Sequence, residues 1–70
     1  MGLSEQELEV LRCVKEMGGQ ATAQPVAEKV EMEINDVRVL LKSLARMDFL
    51  HLKWGGTCYL SKKGKDALEG

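Results

Sequence analysis

The sequence has little net charge, few cysteines and no long hydrophobic run, and each absence excludes a class of protein. Ten Lys and Arg nearly balance eleven Asp and Glu, so the formal charge of the 70 residues is −1. Such a balance is not typical of a strongly basic nucleic-acid-binding domain. No apolar segment approaches the roughly 18–20 residues of a membrane span, and no signal-peptide pattern begins the chain. We therefore expect a cytoplasmic protein with no membrane partner.

Cysteine and histidine are also too sparse for a disulfide scaffold or a metal site. The chain has two cysteines, Cys13 and Cys58, and a single histidine, His51. A zinc site needs four ligands at short spacings, and these three side chains are too few and too scattered. We expect two half-buried thiols, no metal and no cofactor. Glu31 and Glu33 have no nucleophile or histidine near them in the sequence, so we expect no enzyme.

The residues that are present predict one folded domain over residues 1–70. Hydrophobic residues make up 44% of the chain, which argues against disorder. Ser4 and Glu7 form a capping-box pattern at the start of a first helix, predicted from Glu5 to Met17. Gly18-Gly19 ends that helix.

The middle of the chain predicts a minimal strand and two further helices. Gln20 to Ala23 is the candidate strand, and Pro25 suits the first turn of a short helix that ends at Val30. The next helix is predicted from Asn35 to Met47, with Asn35 or Glu33 as its N-cap. Its outward face carries Asn35, Val39, Lys42 and Arg46, with Arg38 and Ser43 at the flanks.

The last third of the sequence predicts a hairpin and a short helix. Apolar and polar residues alternate from Phe49 to Trp54, and Thr57 to Ser61 forms the partner strand. Gly55-Gly56 between them is typical of a two-residue turn, and Trp54 is expected to pack on the hairpin. Ser61 is placed to cap the final helix, in which Gly64 lowers stability by about 1 kcal/mol relative to Ala.

Twelve apolar side chains are predicted to form the core. They are Leu8, Leu11, Val14, Val26, Ala27, Val30, Val37, Leu41, Leu44, Leu50, Leu52 and Leu60.

The predicted order, α–β–α–α–β–β–α, resembles the winged helix-turn-helix of small bacterial and archaeal transcriptional regulators. The segment from Pro25 to Leu44 looks like their tri-helical unit, and Met47-Asp48-Phe49-Leu50 resembles the exit into the wing. The ending Tyr59 to Leu68 is similar to the "Y-x-L-T-x-x-G-x-x-x-L" pattern of the MarR and PadR groups. The resemblance implies an α+β fold: three helices, a wing of two or three strands, and a short C-terminal helix.

The same resemblance implies that duplex DNA is the partner of a transcriptional regulator, with the third helix in the major groove and the hairpin wing on the flanking backbone or minor groove. Carried over position by position, the nucleic-acid-binding residues would lie on the third helix and at the wing tip: Arg38, Lys42, Ser43, Arg46, Lys53, Gly55, Gly56 and Thr57. The basic cluster at the start of the last helix adds Lys62 and Lys63 as candidates. Because no additional dimerisation helix is present in these 70 residues, a monomer or weak dimer is expected.

The charge is unevenly distributed in a way that supports this hypothesis. Residues 1–36 hold eight acids and three bases, a net −5, whereas residues 37–70 hold seven bases and three acids, a net +4. Such asymmetry between halves indicates an electrostatic partner. The basic half contains the third helix, the wing and the last helix.

A second hypothesis from the same residues is a protein-interaction module that does not bind DNA. Val39 stands where many winged-helix relatives carry a polar residue, and it would form an apolar patch if it lay beside Trp54 and His51. Glu31, Glu33 and Asp36 gather near the start of the third helix. Carboxylates there would repel phosphates.

Overall fold

Four α-helices and three short β-strands follow one another along residues 2–69, the part of the chain that the computed structural model describes. In chain order they are α1 (Glu5–Glu16), β1 (Gln20–Ala21), α2 (Ala23–Val30), α3 (Ile34–Arg46), β2 (Leu50–Leu52), β3 (Cys58–Leu60) and α4 (Lys62–Glu69), with a 3-10 turn at Trp54–Gly56. This order confirms the predicted α+β arrangement. Within residues 2–69, no helix has the length and apolar character to cross a bilayer.

The predicted capping box begins α1. The Glu7 N–H donates to Ser4 Oγ at 3.2 Å, and the Ser4 N–H donates to Glu7 Oε1 at 2.9 Å. The helix ends at Glu16, one residue before the predicted end. Gly18 and Gly19 follow with φ of 93° and 90°, a backbone region that glycine adopts readily.

The two middle helices begin earlier than predicted. α2 starts at Ala23, two residues before Pro25, and Thr22 is its N-cap. Pro25 is tolerated because the N–H groups of a first helical turn have no partner within the helix. α3 is shifted by one residue toward the amino end, and Glu33 rather than Asn35 occupies its N-cap position.

The strands form one antiparallel sheet in the order β1-β3-β2. The predicted two-residue turn is wrong, because β2 ends at Leu52 and the Lys53 N–H donates to the Thr57 carbonyl at 2.8 Å. That bond leaves Trp54–Gly56 as a three-residue loop. Gly55, with φ 81° and ψ 4°, has the dihedral angles of the third position of a type II turn.

The core lies between the three N-terminal helices and the inner face of the sheet. Eight of the predicted core residues are buried: Leu11, Val14, Val26, Ala27, Val37, Leu41, Leu44 and Leu50. Val30 and Leu60 are half-buried and pack against its margin, and Leu8 is half-buried outside it. Val10, Cys13 and Cys58 belong to the core and were missing from the predicted set.

Leu52 is the one predicted core residue that is exposed, by 49% of its surface. It shares the inner face of β2 with Leu50, because alternate residues of a strand point to the same side. At the end of the strand it lies past the core, in a groove open to solvent. Alternation within a strand therefore predicted its direction correctly and its burial wrongly.

Both cysteines are free and fully inside the core, and not half-buried as expected. Burial raises the pKa of the Cys13 and Cys58 thiols above its ordinary value of 9.0. Cys58 is central because β3 is paired on both sides, with Ala21 on one strand and Leu52 on the other. Its alternation with Leu60 in the sequence is the signal that would have found it.

Gly64 lets α4 pack closely on the turn that follows α3. Ser61 Oγ donates to the Asp48 carbonyl at 2.6 Å and accepts from the Gly64 N–H at 3.0 Å, which confirms Ser61 as the cap of α4. A Cβ on Gly64 would lie 2.8 Å from Leu60 Cδ1 and closer still to the Phe49 carbonyl oxygen. The glycine is thus required by packing, which the helix-propensity argument did not anticipate.

Gly64→Ala is therefore expected to destabilise the domain by about 1–3 kcal/mol, the typical effect of forcing an extra methyl group into a tight contact. On helix propensity alone the same change would stabilise it by about 1 kcal/mol. Urea unfolding measures the difference. Lys65→Ala, at the next and exposed position of α4, is the matched control and should stay within about 0.5 kcal/mol of the wild type. A Gly64→Ala variant as stable as the wild type would contradict the contact.

Candidate nucleic-acid interface

The rotation of α3 is determined by its buried face. Val37, Leu41 and Leu44 are buried, and α3 packs against both α1 and α2. At about 100° per residue, this leaves the opposite side of the helix in solvent. The exposed residues on that side are Asn35, Val39, Lys42 and Arg46.

Arg38, which is exposed at the edge of this side, forms a basic row with Lys42 and Arg46. Residues four apart lie one above the other on a helix, so the row runs roughly along the axis. The one ion pair among the described residues joins Lys29 to Glu16, at 3.7 Å. The three cations of the basic row are therefore exposed and unpaired within residues 2–69, and their charge is available to an external anion.

The acidic residues near the start of α3 do not interrupt the basic row. Asp36 lies about 160° around the helix from Arg38 and lines a groove between α1 and α3 together with Val39. Glu33 stands before the first turn of the helix. The acids are thus placed at the amino end of α3 and on its α1 side.

A groove of about 430 Å³ lies between α3 and the loop that joins β2 to β3. We call that loop, residues 53–57, the wing, and the space the α3–wing groove. Arg38 and Lys42 line it from the helix, and Gly55 and Gly56 line it from the wing. Basic side chains thus face glycines whose backbone is open to close approach.

The amino end of α2 also lines the α3–wing groove, through Thr22, Ala23 and Gln24. Sequence reasoning missed these residues because it began the second helix at Pro25. The first N–H groups of a helix carry partial positive charge. Together with Arg38 and Lys42, they give the groove a favourable field for an anion.

The wing projects a large apolar side chain into solvent. Trp54 is 99% exposed, so the expectation that it packs on the hairpin is wrong. The reason is its place in the three-residue loop, beyond the last paired residues of β2 and β3. Lys53 beside it is also exposed.

Ser43 is directed toward α1 and away from the basic row. Its Oγ donates to Glu7 Oε2 at 3.1 Å, across 36 positions of sequence. The pKa of Glu7 is lowered from its ordinary value of 4.5, mainly by the hydrogen bond from the Ser4 backbone N–H. Partial burial opposes the shift, and the hydroxyls of Ser4 and Ser43 add smaller contributions in the same direction as the backbone bond.

Lys63 is likewise engaged within the domain. Its Nζ donates to the Met47 carbonyl at 2.9 Å and lies 4.7 Å from the centre of the Phe49 ring. A cation at this place stabilises the carboxyl end of α3. Lys62 is exposed and Thr57 is half-buried, and neither lines the α3–wing groove.

No group of three or more His, Cys, Asp or Glu side chains within residues 2–69 is arranged to hold a metal ion. The arrangement that stands out is therefore electrostatic: an unpaired basic row beside a groove, flanked by a projecting loop.

Two solved structures share this whole arrangement of helices and sheet. One is a protein of Pseudomonas aeruginosa PA01 named as a transcriptional regulator, with a TM-score of 0.87 and 26% identity over 93% of this chain. The chain is a winged-helix domain of the kind found in transcriptional regulators. The organohalide-sensing transcriptional regulator RdhR, in its 2,4-dichlorophenol-bound form, shares the winged-helix fold with a TM-score of 0.85 and 19% identity over 96% of this chain.

The winged-helix domain spans about half the length of these regulators, 47% of the first and 43% of the second. No protein-family model and no curated protein sequence matches it. The comparisons confirm the resemblance on which the fold prediction depended, at the level of the winged helix and without placing a subfamily.

The hydrogen bond from Ser43 to Glu7 predicts that substitutions at two neighbouring residues of α3 affect the pKa of Glu7 differently. Ser43→Ala should raise the pKa of Glu7 toward 4.5, because one hydrogen bond to the ionised carboxylate is lost. Lys42→Ala, one position away on the exposed side, should leave that pKa unchanged. An NMR titration of the Glu7 carboxyl carbon measures both. Equal shifts in the two variants would contradict the orientation of α3.

The same pKa predicts how stability depends on pH. Because the folded pKa of Glu7 is lowered, its contribution to stability is present above about pH 4.5 and is lost as the pH falls through the folded value. Glu7→Gln should therefore flatten the acid side of the pH–stability curve, measured by urea unfolding from pH 3 to 7 by about half-unit steps. An acid limb of unchanged slope in Glu7→Gln would contradict this role.

Proposed function

We propose that this winged-helix domain binds duplex DNA as part of a transcriptional regulator, with α3 in the major groove and a sugar–phosphate strand in the α3–wing groove. The observation that carries the proposal is the basic row: three unpaired cations on the exposed side of α3, two of which line the groove. The likeness to two transcriptional regulators supports it.

The dimensions of α3 suit the major groove. A helix with its side chains is about 10–12 Å across, and the major groove of B-DNA is about 12 Å wide. Because its buried side faces α1 and α2, α3 can present only the side that carries the basic row. The exposed side is thus both the accessible and the positively charged one.

The geometry divides the contacts into two groups. Arg38 and Lys42 reach a phosphate strand in the groove, and Lys53 reaches the same strand from the wing. Arg46, Asn35 and Val39 face the base edges. Asn suits adenine, Arg suits guanine, and an apolar side chain suits the thymine methyl group.

Two of the candidate nucleic-acid-binding residues are left out of this proposal. Ser43 is hydrogen-bonded to Glu7, and Lys63 to the Met47 carbonyl. Contacts from either residue to DNA would require those bonds to break. Lys62 and Thr57 lie outside the groove and remain peripheral candidates for the backbone.

The two grooves beside α3 do not bring together the residues of the rival protein-docking patch. Val39 is exposed by 65% and lines a groove with Asp36, whereas Gly55 and Gly56 of the wing line the α3–wing groove with Arg38 and Lys42. Neither groove is lined by Val39 together with Trp54 or His51. The comparisons give the rival hypothesis no support.

Fluorescence anisotropy with a labelled random-sequence duplex tests the proposal. The three phosphate contacts, from Arg38, Lys42 and Lys53, would give a log–log salt slope of about −2.7, and removal of one contact would reduce it to about −1.8. Lys42→Ala should show the smaller slope. Lys15→Ala, which removes an exposed lysine of α1 away from the groove, is the matched control and should retain the wild-type slope.

Two results would contradict the proposal. One is the absence of binding at high micromolar protein and low salt. The other is an equal reduction of the salt slope in Lys15→Ala and Lys42→Ala. That result would mean that any surface lysine contributes equally to DNA binding and that the basic row is not the binding site.

A further inference from the structure

Three side chains form a row across the outer face of the sheet. Gln20 of β1 and His51 of β2 are both paired with Tyr59 of β3, which lies between them. Because successive residues of a strand point to opposite faces, the row lies on the face opposite to Cys58, whose side chain is in the core. We call these three residues the outer-sheet row. All three are exposed, and Tyr59 exposes 36% of its surface.

Two members of the outer-sheet row are aromatic rings on adjacent strands. The Cβ atoms of directly opposite residues in an antiparallel pair lie about 4.5–5.5 Å apart, so His51 and Tyr59 are close neighbours. Aromatic side chains contribute to folding mainly through burial, and neither ring belongs to the core or packs against it. The fold therefore does not account for this pair, and both rings are open to a partner.

The outer-sheet row lies on the reverse of the surface proposed for duplex DNA. The α3–wing groove is lined by Leu52 and Cys58, which point to the inner face of the sheet. His51 and Tyr59 point to the opposite face. A molecule bound to the outer-sheet row would therefore leave α3 and the groove open.

The charge of the segments that build the sheet favours an anionic partner. Residues 17–22 and 49–65 contain four lysines and no Asp or Glu. One of these lysines, Lys62, comes directly after the last strand, is exposed and does not line the α3–wing groove. A chain of negative charges that approaches the outer face of the sheet thus meets cations and no carboxylate from these segments.

A single strand of nucleic acid matches both the charge and the rings. Its bases expose flat π-faces that stack on aromatic side chains, whereas neighbouring base pairs cover those faces in a duplex. Successive bases of a stacked strand are about 3.4 Å apart, and an extended strand reaches the wider spacing of two rings on adjacent β-strands. We propose that the outer-sheet row binds single-stranded nucleic acid, with successive bases stacked on Tyr59 and His51. This site is independent of the proposed duplex binding.

An abasic oligonucleotide separates stacking from charge, because it carries the phosphates and sugars of its parent strand but no bases. The experiment compares a labelled oligothymidine of about ten nucleotides with its abasic counterpart by fluorescence anisotropy, at one salt concentration. Wild-type protein should bind the oligothymidine about tenfold more tightly, and Tyr59→Leu should lose most of that preference. Oligouridine of the same length, compared in parallel, distinguishes RNA from DNA as the tighter-binding strand, and the preference over the abasic strand is expected for both.

Two further variants keep this result interpretable. Tyr59→Phe retains the ring and should retain the preference, which separates stacking from any effect of Tyr59→Leu on the fold. Trp54→Leu is the matched control, because it removes an aromatic ring that is 99% exposed but lies in the wing, outside the outer-sheet row. It should keep the wild-type preference. Melting temperatures close to that of the wild type would show that all three variants are folded.

NMR gives a second measurement that places the bases directly. The chain has one histidine and one tyrosine, so the ring signals of His51 and Tyr59 are each unique. Both sets of ring-proton signals should move upfield when oligothymidine is added, because a stacked base shields the protons beneath it. The abasic strand should leave them nearly unchanged, as should oligothymidine for the ring signals of Trp54.

Several results would overturn this site: no binding of oligothymidine at high micromolar protein, equal affinity for the abasic strand, equal loss of preference in Trp54→Leu and Tyr59→Leu, or binding without movement of the ring signals. None of them bears on the proposed function. Tyr59→Leu should bind the random-sequence duplex with wild-type affinity, and Lys42→Ala should keep the preference for oligothymidine over the abasic strand. The two proposals can therefore fail separately.

Discussion

The burial of one side of α3 is the constraint on which the rest of this domain depends. Val37, Leu41 and Leu44 occupy the space between α1 and α2, and a helix with one side held in a core can expose only the other. Since the basic residues are spaced at four-residue intervals, that single rotation brings Arg38, Lys42 and Arg46 into one row. The same rotation turns Ser43 and Asp36 toward α1.

A few hydrogen bonds between the turn after α3 and the start of α4 then position the sheet and α4 against α3. α3 ends at Arg46, and Asp48 takes a left-handed φ of 68° that turns the chain into β2. Ser61 binds the Asp48 carbonyl and caps α4, while Lys63 binds the Met47 carbonyl. These bonds hold the residues before β2 and after β3 together, and the wing lies beside the basic row with the α3–wing groove between them.

Local patterns in the sequence predicted most of the framework. Capping residues, glycine stops and helical spacing located α1 and the buried side of α3, because these signals act within one or two turns. The same reasoning failed for contacts between distant segments. Nothing near Ser43 indicates that Glu7 is its partner, and nothing near Gly64 indicates the Phe49 carbonyl. Leu52 and Trp54 fit the alternation of a strand, but the burial of a residue depends on what covers the strand at that position. Because β2 ends at Leu52, neither side chain is covered by the core. Within the candidate interface, helical spacing alone places Arg38, Lys42 and Arg46 in one row, whereas Ser43 and Lys63 are directed elsewhere by tertiary contacts that the sequence does not indicate.

The central claim is that one side of this domain, made of the exposed row of α3, the amino end of α2 and the wing, receives duplex DNA. Backbone amide shifts in a 15N-correlated NMR spectrum, recorded as duplex is added, test it most directly. The largest changes are expected on residues 22–24, on Arg38 and Lys42, and on residues 52–57, with little change along α1. Changes centred on α1, with residues 22–24, Arg38, Lys42 and residues 52–57 unchanged, would contradict it.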